Sequence, residues 1–243
     1  VAEILGFRDE AAAELAAIEG ADEREAAILR ERETRAASLE VDALALSAGR
    51  AKAAARLARD VQESLRELAM PSARFSVALE AAEAPEGLPC GPLGRERPEF
   101  RFSANAGETP RPLRKVASGG ELSRAFLAIK QAVREADAGM VLVFDEVDAG
   151  IGGHVADRVG RSLSELAAHH QIVCITHLPQ IAALADRHFR VEKFARKGRT
   201  SARISRVEGA ERVEEIARMA GGGEVGEATR QHARELLGPR ASA

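Results

Sequence analysis

Ser118-Gly119-Gly120-Glu121 opens a segment of helical periodicity, and its two glycines leave room for an anion close to the backbone. Free N–H groups in the first turn of a helix, reinforced by the helix dipole, suit a terminal phosphate. Downstream, the apolar run Met140 to Phe144 ends in Asp145-Glu146. One carboxylate there could hold a magnesium ion through water while its neighbour polarises an attacking water. A second apolar run ends in Thr176-His177, which places an imidazole at the next strand end. In this order the three landmarks describe one side of a clamp driven by ATP.

The other side is absent. A phosphate-cradling loop of the form GxxxxGK[ST] provides the lysine and hydroxyl that hold nucleotide and metal, and no lysine directly follows a glycine in this chain. The cradle is therefore expected on another polypeptide segment, and the start at Val1 in place of methionine raises the expectation of an excised fragment, with a natural one left open.

Each landmark also has a bland reading. Glycine pairs before helices often only turn the chain, a buried strand can end in solvated acids, and an isolated histidine after a strand is usually just polar. Order and spacing favour the nucleotide reading, because sites in open α/β sheets gather at the carboxyl ends of strands. Adjacent strand residues point to opposite faces, so one acid is expected in the site and the other at its rim.

The elements that must position these residues follow from periodicity. Residues 1–70 are read as a descending coiled-coil arm segment: the first 68 contain no proline and are rich in alanine, glutamate, arginine and leucine. Gly6 and Gly20-Ala21-Asp22 look like breaks. A seam runs through Leu39, Ala43, Leu46, Arg50, Ala53, Leu57, Val61, Leu65 and Leu68 at steps of three or four. One helix from Asp22 to Leu68 would extend about 70 Å, which predicts an arm on a globular head. Residues 71–243 are read as that head. Phe75, Val77 and Leu79 alternate, as do Phe100 and Phe102, with a loop from Pro85 to Pro98 between them. A helix over 119–136 carries Leu122, Phe126, Ile129 and Val133 on one face. Strand 140–145, helix 154–168, strand 172–176, a short helix after Pro179 and strand 188–194 follow, then a hairpin return over 201–207. Helices near 211–219 and 227–237 close the chain. The alternation predicts an α/β fold with a mainly parallel sheet covered on both faces.

Composition bounds the remaining choices. With 243 residues and 45% apolar content the chain can bury one good core and a smaller second element. A net charge of −3 exerts no global pull on nucleic acid or membrane, and no stretch approaches a membrane span. Cys90 lies in a Gly/Pro-rich loop and Cys174 inside an apolar run, which fits neither a disulfide framework nor a zinc site. His169-His170 suits a helix carboxyl end. A reduced, cytoplasmic protein is expected.

The runs KVASGGELSRAFLAIK, VLVFDEVDAGIGG and ITHLPQIAALADRHFRVEKF resemble the carboxyl-terminal half of the RecN family, in the SMC-like branch of the ABC-type ATPases. The likeness spans roughly residues 39–237 and is most specific over 115–194. It implies an ATP- and Mg2+-dependent ATPase in DNA double-strand break repair and recombination, associated with the nucleoid. By resemblance, Ser118, Gly119, Gly120 and Glu121 are the ABC signature that contacts the γ-phosphate on an opposing head. Asp145 resembles the second Walker aspartate, which holds the water-bound magnesium. Glu146 resembles the general base, Asp148 falls in the D-loop that communicates across paired heads, and His177 resembles the switch histidine. Ala117 departs from the leucine of many transporters, at a supporting position. The resemblance places the phosphate loop in an amino-terminal half that also bears the ascending arm, and implies a homodimer through ATP-bridged heads, arms or both. The isolated chain is expected to be inactive.

Two readings from other classes compete. One is a non-hydrolysing coiled-coil interaction module, which would have no reason to keep the acid pair. The other is a DNA-binding module built on Arg187, Arg190, Lys193, Arg196, Lys197, Arg199, Arg203 and Arg206, a stretch with one acid, Glu192. The chain has no Trp or Tyr for stacking.

Overall fold

The structure, a computed structural model, describes all residues except Ala117, Glu135, Asp137, 197–198, 223–224 and 239–243. The expectations placed on Ala117 and Lys197 therefore lie outside the described residues. So do the side chains of Arg196 and Arg199. The fold is α/β with a long amino-terminal helix, and it separates into two compact units.

The first unit comprises residues 1–54 and 78–99. Its helical part belongs to α1 (Ala2–Glu67), which runs through Gly6, Gly20 and Gly49 without interruption. The expected breaks are not there: a glycine costs a helix about 1 kcal/mol relative to alanine but does not terminate it. The seam also departs from expectation. Ala43 is buried, whereas Leu39 and Leu46 are exposed. What covers the helix is the loop between β1 (Arg74–Ala81) and β2 (Glu96–Ser103). Glu40 takes an ion pair from Arg95 at 2.7 Å, Ser47 donates to Glu96 at 2.5 Å, and Arg50 donates to the Glu96 carbonyl at 3.0 Å. Polar Arg50 thus has a reason to stand in an otherwise apolar seam. The strand starts at Glu96, so Pro98 is in β2 and not in the loop.

The second unit comprises residues 55–77 and 100–243. Its core joins Val61, Leu65 and Leu68 to Phe75, Phe102, Leu127, Leu142 and Phe144. Here Val61, Leu65 and Leu68 of the seam are fully covered and Leu57 is partly so. A short β3 (Arg111–Pro112) pairs antiparallel with β2. Then come α2 (Gly119–Ala132), β4 (Val141–Phe144), α3 (His154–Leu166), β5 (Gln171–Cys174) and α4 (Pro179–Ala182). β6 (His188–Arg196) and β7 (Arg199–Val207) form an antiparallel hairpin, followed by α5 (Gly209–Gly221) and α6 (Glu227–Leu237). A smaller core of Ala182, Ala183, Val213, Ile216, Ala217, Ala233 and Leu237 joins α4, α5 and α6.

β4 and β5 pair in parallel, Val141 with Gln171 through Phe144 with Cys174, across the right-sized crossover that α3 provides. The hairpin and the β2–β3 pair are not parallel but antiparallel. Nor is the parallel pair covered on both faces. Leu142 and Phe144 are buried, but Val141, Val143, Val173 and Ile175 are exposed. Among the described residues nothing covers this apolar face. The buried face of α2 is also rotated from the one expected: Ala125, Leu127 and Ala128 are fully buried, while Leu122, Phe126 and Val133 are only partly so. The helix is gripped on two sides, by the β4 turn and, through Gln131 donating to the Ser162 carbonyl, by α3.

Candidate nucleotide-hydrolysis site

β4 ends at Phe144, and the next residues turn sharply. Glu146 has φ +56°, in the left-handed region that costs a side-chain-bearing residue about 1–2 kcal/mol. The Ala149 N–H bonds back to the Glu146 carbonyl at 3.0 Å. Asp145 and Glu146 are therefore not two strand residues on opposite faces, as expected; both are exposed at the turn that leaves β4. Strand alternation does not apply beyond the last ladder residue.

Ser118 is the N-cap of α2, with extended backbone and no side-chain capping bond, so its hydroxyl is not used up in holding the helix end. Gly119 and Gly120 form the first turn and lie against the turn after β4. A Cβ on Gly119 would collide with the Glu146 carboxylate, and one on Gly120 would come 2.8 Å from the Ala149 Cβ and 3.0 Å from the Glu146 carbonyl. Glycine is required here for close approach. Glu121 follows in the same turn, partly buried.

Two residues that the linear pattern did not single out fasten α2 to this turn. The Ser123 hydroxyl donates to the Asp145 carbonyl at 2.6 Å. Arg124 is buried and donates from Nη1 to the carbonyls of Val147 and Ala149, at 3.3 and 2.9 Å. Burial lowers its pKa, opposed by the nearby charges of Glu121 and Asp148. The signal that could have found Arg124 is a charged residue on the helix stripe that also carries Leu127 and Ala128.

Asp148 is turned inward, its side chain 4% exposed against 73% for His177. Its Oδ2 accepts from the Thr176 hydroxyl at 2.5 Å and from the His177 backbone N–H at 2.9 Å, and the His177 Nδ1 stands 3.0 Å from the same oxygen. The Leu178 N–H in turn donates to the Thr176 hydroxyl at 3.0 Å. Cys174, two residues before Thr176, has a half-buried thiol whose pKa burial pushes up to about 12, with Asp148 and Asp145 adding to the shift.

All eight sequence-derived candidates thus lie on connected elements: Ser118, Gly119, Gly120 and Glu121 on the first turn of α2, Asp145, Glu146 and Asp148 on the turn it packs against, and His177 on Asp148. Magnesium is typically bound through one or two carboxylates together with phosphate oxygens and waters. Exposed Asp145 beside Glu146 fits such a partial donor set, and among the described residues no group of three or more ligating side chains forms a protein cage. The basic stretch of β6 and β7 is elsewhere in the chain. Arg190 and Arg206 make ion pairs with Glu192 and Glu208, and Phe189, Val191 and Ile204 are exposed on the hairpin.

No family model matches. The DNA repair protein RecN of Mycobacterium tuberculosis is 41% identical over 249 residues, covering 96% of this chain and 42% of that protein. RecN of Deinococcus radiodurans is 45% identical over 244 residues, covering 97% and 40%, and RecN of Xylella fastidiosa 45% over 192 residues, covering 79% and 34%. Among solved structures, the Smc head domain with a coiled coil and joint from Pyrococcus yayanosii aligns at TM-score 0.44 and 23% identity over 66% of this chain and 28% of that one, a likeness too slight to carry an argument. The chain spans about two fifths of the length of the first of these relatives. With that identity sustained over nearly all of its residues, the chain belongs to the RecN family, matching the carboxyl-terminal part of its members.

Proposed function

We propose that this chain supplies the cap and the acids of a shared ATP site in an SMC-like DNA repair ATPase. An amino-terminal portion of the same protein supplies the phosphate cradle. The observation that carries the reading is the packing of the Gly119-Gly120 turn directly on Glu146, in a chain whose relatives are named DNA repair proteins.

In this mechanism Ser118 and the first-turn N–H groups of α2 meet the γ-phosphate on an opposing head. Glu146 accepts the proton of the attacking water, and its exposure leaves room for that water. His177 contacts the γ-phosphate and reports its loss. Asp145 would hold Mg2+ through water; the bound ion would neutralise charge on the β- and γ-phosphates. Two heads bridged by ATP attract until hydrolysis removes the bridge, which makes the nucleotide a reversible link between copies of the protein. Arms attached to the heads would turn this cycle into capture and release of DNA during double-strand break repair and recombination, in the bacterial cytoplasm at the nucleoid. The exposed face of Val141, Val143, Val173 and Ile175 supports a missing lobe, since monomeric proteins rarely leave a contiguous apolar face open to water. Among the described residues no helix is long and apolar enough to cross a membrane.

The test is reconstitution. The chain alone should hydrolyse no ATP, and joining it to its amino-terminal portion should restore turnover. In the joined protein Glu146→Gln should bind ATP and accumulate paired heads, because the base is lost while the cap survives. Robust turnover by the chain alone, or unchanged turnover in the Gln variant, would refute the assignment.

A further inference from the structure

We propose that Asp148 is a positioning residue for His177, acting inward through Thr176 and not by touching nucleotide on an opposing head. The inference rests on the reading of His177 given above and deepens it. A single carboxylate oxygen, Oδ2, takes the Thr176 hydroxyl and the His177 backbone N–H and faces the His177 Nδ1. The carboxylate is almost wholly buried, a placement that is costly unless donors meet it. Here the donors come from the histidine itself and the residue before it.

The consequence for the imidazole is chemical. Which ring nitrogen is available to a ligand is set by the partner of the other nitrogen. With Asp148 at Nδ1, Nε2 is the nitrogen left for a phosphate, on a ring whose side chain is otherwise exposed. Backbone and ring are anchored at the same oxygen, so the histidine is held at two points. Thr176 adds a third by accepting the Leu178 N–H, which fixes the turn into α4. Asp148 is itself bracketed by the Arg124 bonds to the carbonyls of Val147 and Ala149. The path from the glycine turn of α2 to His177 therefore runs Arg124, the 147–149 backbone, Asp148, Thr176 and the imidazole.

The experiment is a double-mutant cycle on steady-state ATP hydrolysis by the full-length protein that contains this chain. Asp148→Ala should lower kcat about 10- to 100-fold, the range seen when a partner that orients a metal-bound histidine is removed, while KM for ATP moves by less than about threefold. In the His177→Ala background the same substitution should cost nothing further. Thr176→Val, nearly isosteric, should reproduce part of the loss without disturbing the core, and Thr176→Ser should restore it. Additive losses in the double variant, or a rise in KM with kcat unchanged, would overturn the positioning role, the latter by placing Asp148 on the nucleotide. Loss in Asp148→Ala with full activity in Thr176→Val would overturn the path through Thr176. Full activity in His177→Ala would overturn the assignment of His177 and this inference with it.

Discussion

Alanine at Gly119 and at Gly120 should have opposite signatures, although the two residues are adjacent in one helical turn. At Gly120 the added methyl meets the Ala149 Cβ at 2.8 Å and the Glu146 carbonyl at 3.0 Å, a methyl and a backbone oxygen with no torsion that would swing them aside. Overpacking of this kind costs about 1–3 kcal/mol, against a gain of up to about 1 kcal/mol from replacing a helical glycine with alanine. The net loss should be about 1–2 kcal/mol, or about 2–8 °C in the melting of a unit this size. At Gly119 the obstacle is the free end of the Glu146 side chain, which can rotate away at little cost. Gly119→Ala should therefore keep the parent stability to within about 0.5 kcal/mol yet displace the proposed base. Urea unfolding of the chain, followed by circular dichroism, measures the first difference, and turnover in the joined protein measures the second. Gly120→Ala as stable as the parent would show that α2 does not rest on the turn after β4. A fully active Gly119→Ala would separate that glycine from the chemistry.

Two further substitutions probe the support of the site and its cover. Arg124→Ala strips donors from the Val147 and Ala149 carbonyls and should cost about 2–4 kcal/mol in the same unfolding assay, at the usual penalty for each buried group left unpaired; a loss below about 1 kcal/mol would show that water replaces the guanidinium. Lysine at Val143 and Val173 together, both exposed, should change the stability of the chain by less than about 1 kcal/mol while abolishing reconstitution of ATPase activity. Normal reconstitution would show that the cover lies elsewhere.

That the candidate residues gather where α2 begins and where β4 and β5 end was legible in the sequence, because element ends are marked by abrupt changes of residue type. The helix over 227–237 appears with the bounds its periodicity predicts, and the hairpin, α3 and α4 fall within a few residues of expectation. What escaped the linear pattern were partners whose other half is a backbone carbonyl far along the chain. Nothing near Ser123 or Arg124 announces the carbonyls of Asp145, Val147 and Ala149, and Thr176 looks like any polar residue at a strand end. The seam of α1 misled for a related reason. Its periodicity is real, but the surface covering Glu40, Ser47 and Arg50 is polar, so the covered face keeps Ala43 and Arg50 of the seam and leaves Leu39 and Leu46 exposed. Completeness of burial was also not legible, because Val141 and Val143 read the same whether their cover is in this chain or in another.

On the reading proposed above, that exposed strand pair makes supply of the two portions a matter of stoichiometry. A surplus copy would expose branched aliphatic side chains to every other unfolded or half-assembled chain in the cell, where such surfaces invite clumping and capture by chaperones or proteases. Carrying both portions on one polypeptide, made in equal numbers by each round of translation, would remove that hazard at its source.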